Sequence, residues 1–144
     1  MTRQALPVFH RITSGSVRGK DRWGTGYFGA SRGGRSHQGL DVSAMPGESV
    51  LSPIDGVVIR EARPYKGDAR YKGLVIQGSG DWAGYEVKLF YVAKSLLGKV
   101  AAGDVVGTAQ DLEPRYPGIT NHVHLEVRRN GKVVDPAKLF GAGF

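Results

Sequence analysis

The chain has four histidines, and three of them sit where side-chain chemistry is possible. His37 lies four residues before Asp41, in His37-Gln38-Gly39-Leu40-Asp41. On a straight strand those two residues would be roughly 13 Å apart, at about 3.3 Å per residue. Gly39 permits a bend that brings both to one metal ion. Imidazole nitrogen and carboxylate oxygen are ordinary zinc ligands. The second cluster is His122-Val123-His124-Leu125-Glu126. Its polar residues recur with the period of a strand, so His122, His124 and Glu126 share one face, with side chains starting about 7 Å apart. One imidazole can then ligate a metal while its neighbour works on the far side of the ion. Three protein ligands leave a tetrahedral zinc one open position, the pattern of a catalytic site. Such a zinc acidifies a bound water and polarises a carbonyl, and a nearby histidine serves as general base or oxyanion partner. The bland reading is that a lone His-x-His on a strand is a surface pair. Spacing alone does not say which of the two imidazoles is the ligand.

Composition narrows the choice. There is no cysteine in the 144 residues, which excludes a disulfide scaffold, thiolate ligands and a cysteine nucleophile. Any metal must use His, Asp or Glu. No apolar run approaches the roughly 20 residues needed to span a bilayer. The start, MTRQALPVFHRITSG, holds no apolar run of signal-peptide length. Action outside the cytoplasm, in periplasm or cell wall, therefore implies a delivery route that the sequence does not name. The formal net charge is +7, and residues 1–36 carry +6 of it. That is either a solvated basic face or a surface for an anionic partner such as a cell-wall polymer. Nucleic acid is disfavoured, because no recognisable binding module accompanies the charge.

The elements that must position these residues are short strands. Gly56–Arg60, Leu74–Gln77, Tyr85–Val92, Val105–Ala109 and His122–Arg128 are β-branched or alternating runs between turn residues. Val50–Ser52 is a shorter one, and a further short strand is expected around Phe9–Thr13. In Tyr85–Val92, alternation puts Val87, Leu89 and Tyr91 on one face and Glu86, Lys88 and Phe90 on the other. Val123, Leu125 and Val127 form a core stripe behind the polar face of 122, 124 and 126. Asn130-Gly131 signals a type I′ hairpin. Ala93–Val100 is a candidate for a short helix, and Asp135-Pro136-Ala137 for a terminal turn. The expected fold is mainly β, a small antiparallel sheet or sandwich with long Gly-rich loops. A single domain is expected over 1–144: a basic irregular arm at 1–36, then a β core at 37–140. A monomer is expected.

These residues also carry a resemblance. SHQGLDV at 36–42, SVLSPIDGVV at 49–58 and NHVHLEVRRNGKVVDPAKL at 121–139 resemble the lysostaphin-type (LytM-like) zinc metallopeptidases. Segments 21–42, 63–78, 87–92 and 116–126 are similar to the branch of leukocyte cell-derived chemotaxin, although this chain lacks the animal protein's cysteines. The resemblance implies an antiparallel β fold with a groove over one sheet. It implies one zinc ion on His37, Asp41 and His124, with His122 beside the open position. It implies hydrolysis of peptide bonds in bacterial peptidoglycan. One departure stands out. The active peptidases carry a further histidine in a Tyr-x-His-Leu setting, where this chain reads Leu89-Phe90-Tyr91-Val92-Ala93-Lys94. Tyr91 is the expected replacement donor to an oxyanion, with Lys94 and His10 as lesser candidates. The chemotaxin branch shares the loss and is regarded as signalling rather than peptidolytic. The competing expectation is therefore a zinc-stabilised module that binds cell wall or a protein receptor with little or no turnover.

Expected substrate contacts are Arg35, Tyr27 and Asn121, which lie beside the motifs. Trp23, Tyr27 and Phe28, near Arg18, Arg22 and Arg32, either grip a polymer or simply cover the sheet. Gly24-x-Gly26-x-x-Gly29 is not read as a dinucleotide site, because no strand precedes it and no helix follows.

Overall fold

The computed structural model describes residues 8–29 and 38–141. The described residues form ten strands: β1 (Leu40–Ser43), β2 (Ser49–Leu51), β3 (Gly56–Ala62), β4 (Gly73–Gly78), β5 (Tyr85–Phe90), β6 (Val92–Ala93), β7 (Gly98–Val100), β8 (Val105–Ala109), β9 (His122–Arg129) and β10 (Lys132–Val134). Seven make one antiparallel sheet, in the order β1-β9-β5-β4-β3-β7 with β10 also on β9. Three make a smaller antiparallel sheet, β2-β8-β6. The helical content of the described residues is two 3-10 turns, Gly80–Trp82 and Pro136–Leu139.

Alternation builds the core. Val87 and Leu89 of β5, and Val123, Leu125 and Val127 of β9, are fully buried. They join Leu40 and Val42 of β1, Leu74 and Ile76 of β4, and Val50 and Val106 of the smaller sheet in one apolar cluster. β9 is the spine. On one edge it pairs with β1 and then β10, and on the other with β5. The hairpin closes as its sequence predicts: Asn130 has φ 50° and Gly131 φ 82°, with Arg129 opposite Lys132. The Asp135 side chain accepts from the Ala137 amide and caps the final turn, with Pro136 as its first residue.

Three expectations change. Residues 9–13 make no strand, although Phe9 and Ile12 are buried. Their backbone bonds are scattered instead: Phe9 N to Leu139 O at 2.7 Å, His10 N to Pro53 O at 2.9 Å and Leu51 N to Ile12 O at 2.8 Å. The 93–100 segment is not helical. Gly98 at φ 114° turns it into β7, which pairs with β3, so sheet pairing overrides a weak helical pattern. The run at 85–92 is two strands. Tyr91 takes φ 69°, and the chain leaves the large sheet at Phe90 and enters the small one at Val92. Tyr91 is thereby turned out of the core stripe of Val87 and Leu89.

Two substitutions separate core from turn. Leu125→Ala opens a cavity at the centre of β9 and should lower unfolding free energy by about 2–5 kcal/mol. At Gly131 a Cβ meets open space, so Gly131→Ala carries only the left-handed backbone cost of about 1–2 kcal/mol. Urea unfolding at neutral pH would measure both.

Candidate functional site

Register assembles the site. In the β1–β9 ladder Asp41 lies directly opposite His124, and in the β5–β9 ladder Phe90 lies opposite His124. The three side chains form a row across three strands. Asp41 Oδ1 and His124 Nδ1 are 2.8 Å apart. The Phe90 and His124 rings stack, with centroids 5.7 Å apart and planes 16° from parallel. On the other side of the imidazole, Nε2 faces Glu126 Oε1 at 3.3 Å. A Cβ on Gly39 would come within 2.8 Å of His124 Nε2 and 2.5 Å of Leu125 O. Only glycine lets the chain before β1 pass this close to the imidazole.

His122 enters from the same face two residues earlier. It is buried, and its Nδ1 donates to Thr120 O at 2.8 Å. That bond fixes the tautomer, so Nε2 carries the lone pair and faces Asp41 Oδ2 at 3.4 Å. Burial holds the His122 pKa below its ordinary value, more than Asp41 raises it. The ring is a neutral acceptor at pH 7, the form a general base needs.

His124 is set the other way. Burial lowers its pKa, but the hydrogen bonds with Asp41 and Glu126 outweigh that and push it up to about 9. Without metal both ring nitrogens donate to carboxylates. With metal the Nδ1 proton would leave, and Nε2–H would still donate to Glu126, the outer contact that orients a ligating histidine.

The donor set fits a divalent cation. The hydrogen-bonded cluster Asp21–Arg18–Asp41–His124–Glu126 holds three carboxylates and one guanidinium, a net charge of −2 with the imidazoles neutral. Two donors on a tetrahedral zinc lie roughly 3.3 Å apart, given bonds of about 2.0–2.1 Å. The Asp41–His124 separation of 2.8 Å is within reach of that by a small side-chain shift. His37, the third expected ligand, and Arg35 lie outside the described residues. Among the described residues no group of three or more His, Asp or Glu has the geometry to hold a metal by itself.

A cleft of about 360 Å³ opens over these groups. Arg18, Asp41, His122 and His124 lie in it, and Trp23, Tyr65, Phe90, Tyr91 and Tyr116 supply its aromatic wall. Tyr91 meets the His122 ring edge-on at 5.5 Å between centroids. Its hydroxyl is 2.7 Å from that of Tyr65, which in turn bonds the Tyr116 hydroxyl. Burial, then the Tyr65 bond, raise the Tyr91 pKa, so it remains a proton donor.

The other expected contacts fall elsewhere. Tyr27 is exposed and is not among the described residues lining the cleft. Asn121 is a loop staple: its Nδ2 donates to Ala44 O at 3.0 Å and Gln110 O at 2.9 Å, and its Oδ1 accepts from Leu112 N at 2.8 Å. His10 bonds its neighbour's carbonyl and lines no part of the cleft. Of the basic arm, Arg18 is not a solvated cation but is buried against Asp41 at the cleft. Its partner Asp21 is opposed by burial yet held down to about 2 by hydrogen bonds from Arg18, Thr120 and Trp23. Trp23 packs edge-on to Tyr116 and donates to Pro117 O at 3.1 Å. Phe90 and Glu126 were legible as face-sharing residues; Asp21, Tyr65 and Tyr116 lay inside segments that carried the resemblance but had no assigned role, and Arg18 was read only as a basic residue near Trp23.

Comparison with known proteins gives the family and supports the fold. The sequence model of peptidase family M23 matches residues 35–136. Leukocyte cell-derived chemotaxin-2 of Bos taurus is 34% identical over 116 residues, covering 79% of this chain and 74% of that protein. Among solved structures, the peptidase lysostaphin of Staphylococcus simulans superposes with a TM-score of 0.65 at 19% identity, over 97% of this chain and 58% of its own. A zinc-containing peptidase of Vibrio cholerae gives a TM-score of 0.53 at 26% identity, over 90% of this chain and 37% of its own. The chain thus spans little more than a half and a third of those two structures.

The His124 shift has a sign that can be tested. Its folded pKa, about 9, lies above the ordinary 6.5. The associated stability is full below 6.5 and is lost as pH rises through 9. The urea midpoint of metal-free protein should therefore fall between pH 6.5 and 9, and His124→Gln should flatten that fall.

Proposed function

We propose, from the premise that this chain belongs to peptidase family M23, that it is a zinc-dependent endopeptidase acting on peptide bonds of bacterial peptidoglycan outside the cytoplasm. The observation that carries the reading is the pairing of Asp41 with His124 beside a neutral His122 whose Nε2 faces the same carboxylate. In this reading His37, Asp41 and His124 hold one zinc ion. When bound, zinc supplies Lewis acidity toward the scissile carbonyl and toward the attacking water. His122 Nε2 takes a proton from the water as it adds to the carbonyl carbon. The same nitrogen returns the proton to the leaving amine as the C–N bond breaks. The Tyr91 hydroxyl donates to the developing oxyanion, replacing the histidine that Leu89–Lys94 lacks. Glu126 and the Phe90 ring hold the His124 plane. The aromatic wall excludes water and receives the peptide. Tyr27 and Arg35 remain proposed contacts for substrate further along the chain. Asn121 shapes the loop before His122 and acts on substrate only through it. One domain spanning the described segments, working as a monomer, suffices for this chemistry. No helix among the described residues is long and apolar enough to cross a membrane.

A second reading has its own support. The missing histidine, and the similarity to chemotaxin-2, favour a zinc-stabilised binding module for cell wall or a protein receptor. Purified peptidoglycan treated with the zinc-loaded protein separates the two. The peptidase reading expects soluble fragments with new peptide termini by mass spectrometry, lost in His124→Ala and in His122→Ala. Tyr91→Phe should reduce their rate of release by about 10²–10³-fold. Saturable binding to peptidoglycan with no released termini would instead establish the binding module.

A further inference from the structure

Arg18 is the only Lys or Arg buried among the described residues, and the chemistry above does not use it. We propose that Arg18 and Asp21 are positioning residues of the metal site, which fix Asp41 and His122 relative to one another and make the N-terminal segment a working part of it. The inference rests on the reading of Asp41 as a metal ligand.

The guanidinium offers five N–H donors in a rigid plane. Nε donates to Asp41 Oδ2 at 3.2 Å, Nη1 to Asp21 Oδ2 at 2.7 Å and to Gly24 O at 3.2 Å, and Nη2 to Thr25 O at 3.2 Å. With Oδ2 held, Oδ1 is the oxygen presented to His124 Nδ1. The backbone locks the same contact. Arg18 N donates to Asp41 O at 2.7 Å, Asp41 N to Gly26 O at 2.8 Å, and Gly26 N to Arg18 O at 3.0 Å. A Cβ on Gly26 would come within 2.7 Å of the Cβ atoms of both Arg18 and Asp41, so a side chain there would wedge the two apart.

Asp21 extends the hold to the base. Its Oδ2 also accepts from Thr120 N at 3.0 Å, and Thr120 O accepts from His122 Nδ1 at 2.8 Å. An unbroken chain runs His122–Thr120–Asp21–Arg18–Asp41. Asp21 also neutralises the guanidinium, so what reaches Asp41 is direction more than charge. Outer contacts of this kind change metal affinity by about 10–100-fold when removed.

The test is zinc affinity, measured by competition with a chromophoric chelator, with circular dichroism of the metal-free protein as the control for folding. Arg18→Gln should weaken zinc binding about 10–100-fold while the β signal persists. Arg18→Lys keeps the charge and loses the planar fork, and should stay in the weakened range. Asp21→Asn removes one of the two carboxylates that face the guanidinium and one negative charge from the cluster, and should also weaken zinc, by at least about threefold. Should Arg18→Gln fail to fold, Asp21→Asn decides. Folded variants that bind zinc as tightly as wild type, or more tightly, overturn the proposal, as does full recovery by Arg18→Lys. Wild-type protein that takes up no zinc sinks the metal reading and this inference together. Wild-type protein that binds zinc and releases no peptide sinks the peptidase reading alone.

Discussion

Asp41 and His124 meet because β1 and β9 are paired in one register, and everything at the site inherits that pairing. Side chains alternate along a strand, so a slip of one residue would present Val42 or Val123 to the cleft and send a carboxylate into the core. The core prevents it. Leu40, Val42, Val123, Leu125 and Val127 are all fully buried, and none can be exchanged for its polar neighbour without burying an unpaired charge. The hydrophobic effect therefore sets the distance between an imidazole and a carboxylate that form no part of it. Phe90 is fixed by the same logic one strand further on.

The electrostatics follow from this placement. A carboxylate between two imidazoles would ordinarily draw protons onto both. Here the rings diverge, because His122 gives its Nδ1 proton to a carbonyl in a buried setting, whereas His124 faces carboxylates at both nitrogens. In the metal-free protein, two histidines separated by one residue are thus pushed in opposite directions, His122 toward the neutral ring and His124 toward the imidazolium. The difference lies in their surroundings and not in their spacing. On the proposed reading it would also divide their tasks, since a ligand must give up a proton to bind metal and a base must be free to accept one.

Much of this was legible in the sequence. The period of His122, His124 and Glu126 against Val123, Leu125 and Val127 placed the two faces of β9 correctly. Asn130-Gly131 announced its turn because that turn type requires positive φ at both residues. What was not legible depended on contacts distant in sequence or on a single dihedral angle. Arg18 looked like one of a set of surface cations, and only its neighbours across the fold bury it. Tyr91 was expected as an oxyanion donor, yet alternation put it on the face of Val87 and Leu89, since alternation takes no account of a residue at φ 69°. The helix expected at 93–100 gave way because edge pairing with β3 is a tertiary gain that local propensity does not contain.

The placement of Tyr91 separates two properties of the site. The proposed ligands His124 and Asp41 sit on strands whose opposite faces form the core, so the packing that folds the chain also sets them opposite one another. Tyr91 sits at the crossing between two sheets, in no ladder, at φ 69°. On the proposed reading, the frame that would hold the ion and the group that would complete turnover are therefore set by different parts of the fold. A change at that one kink would then alter turnover and leave the Asp41–His124 pairing in place.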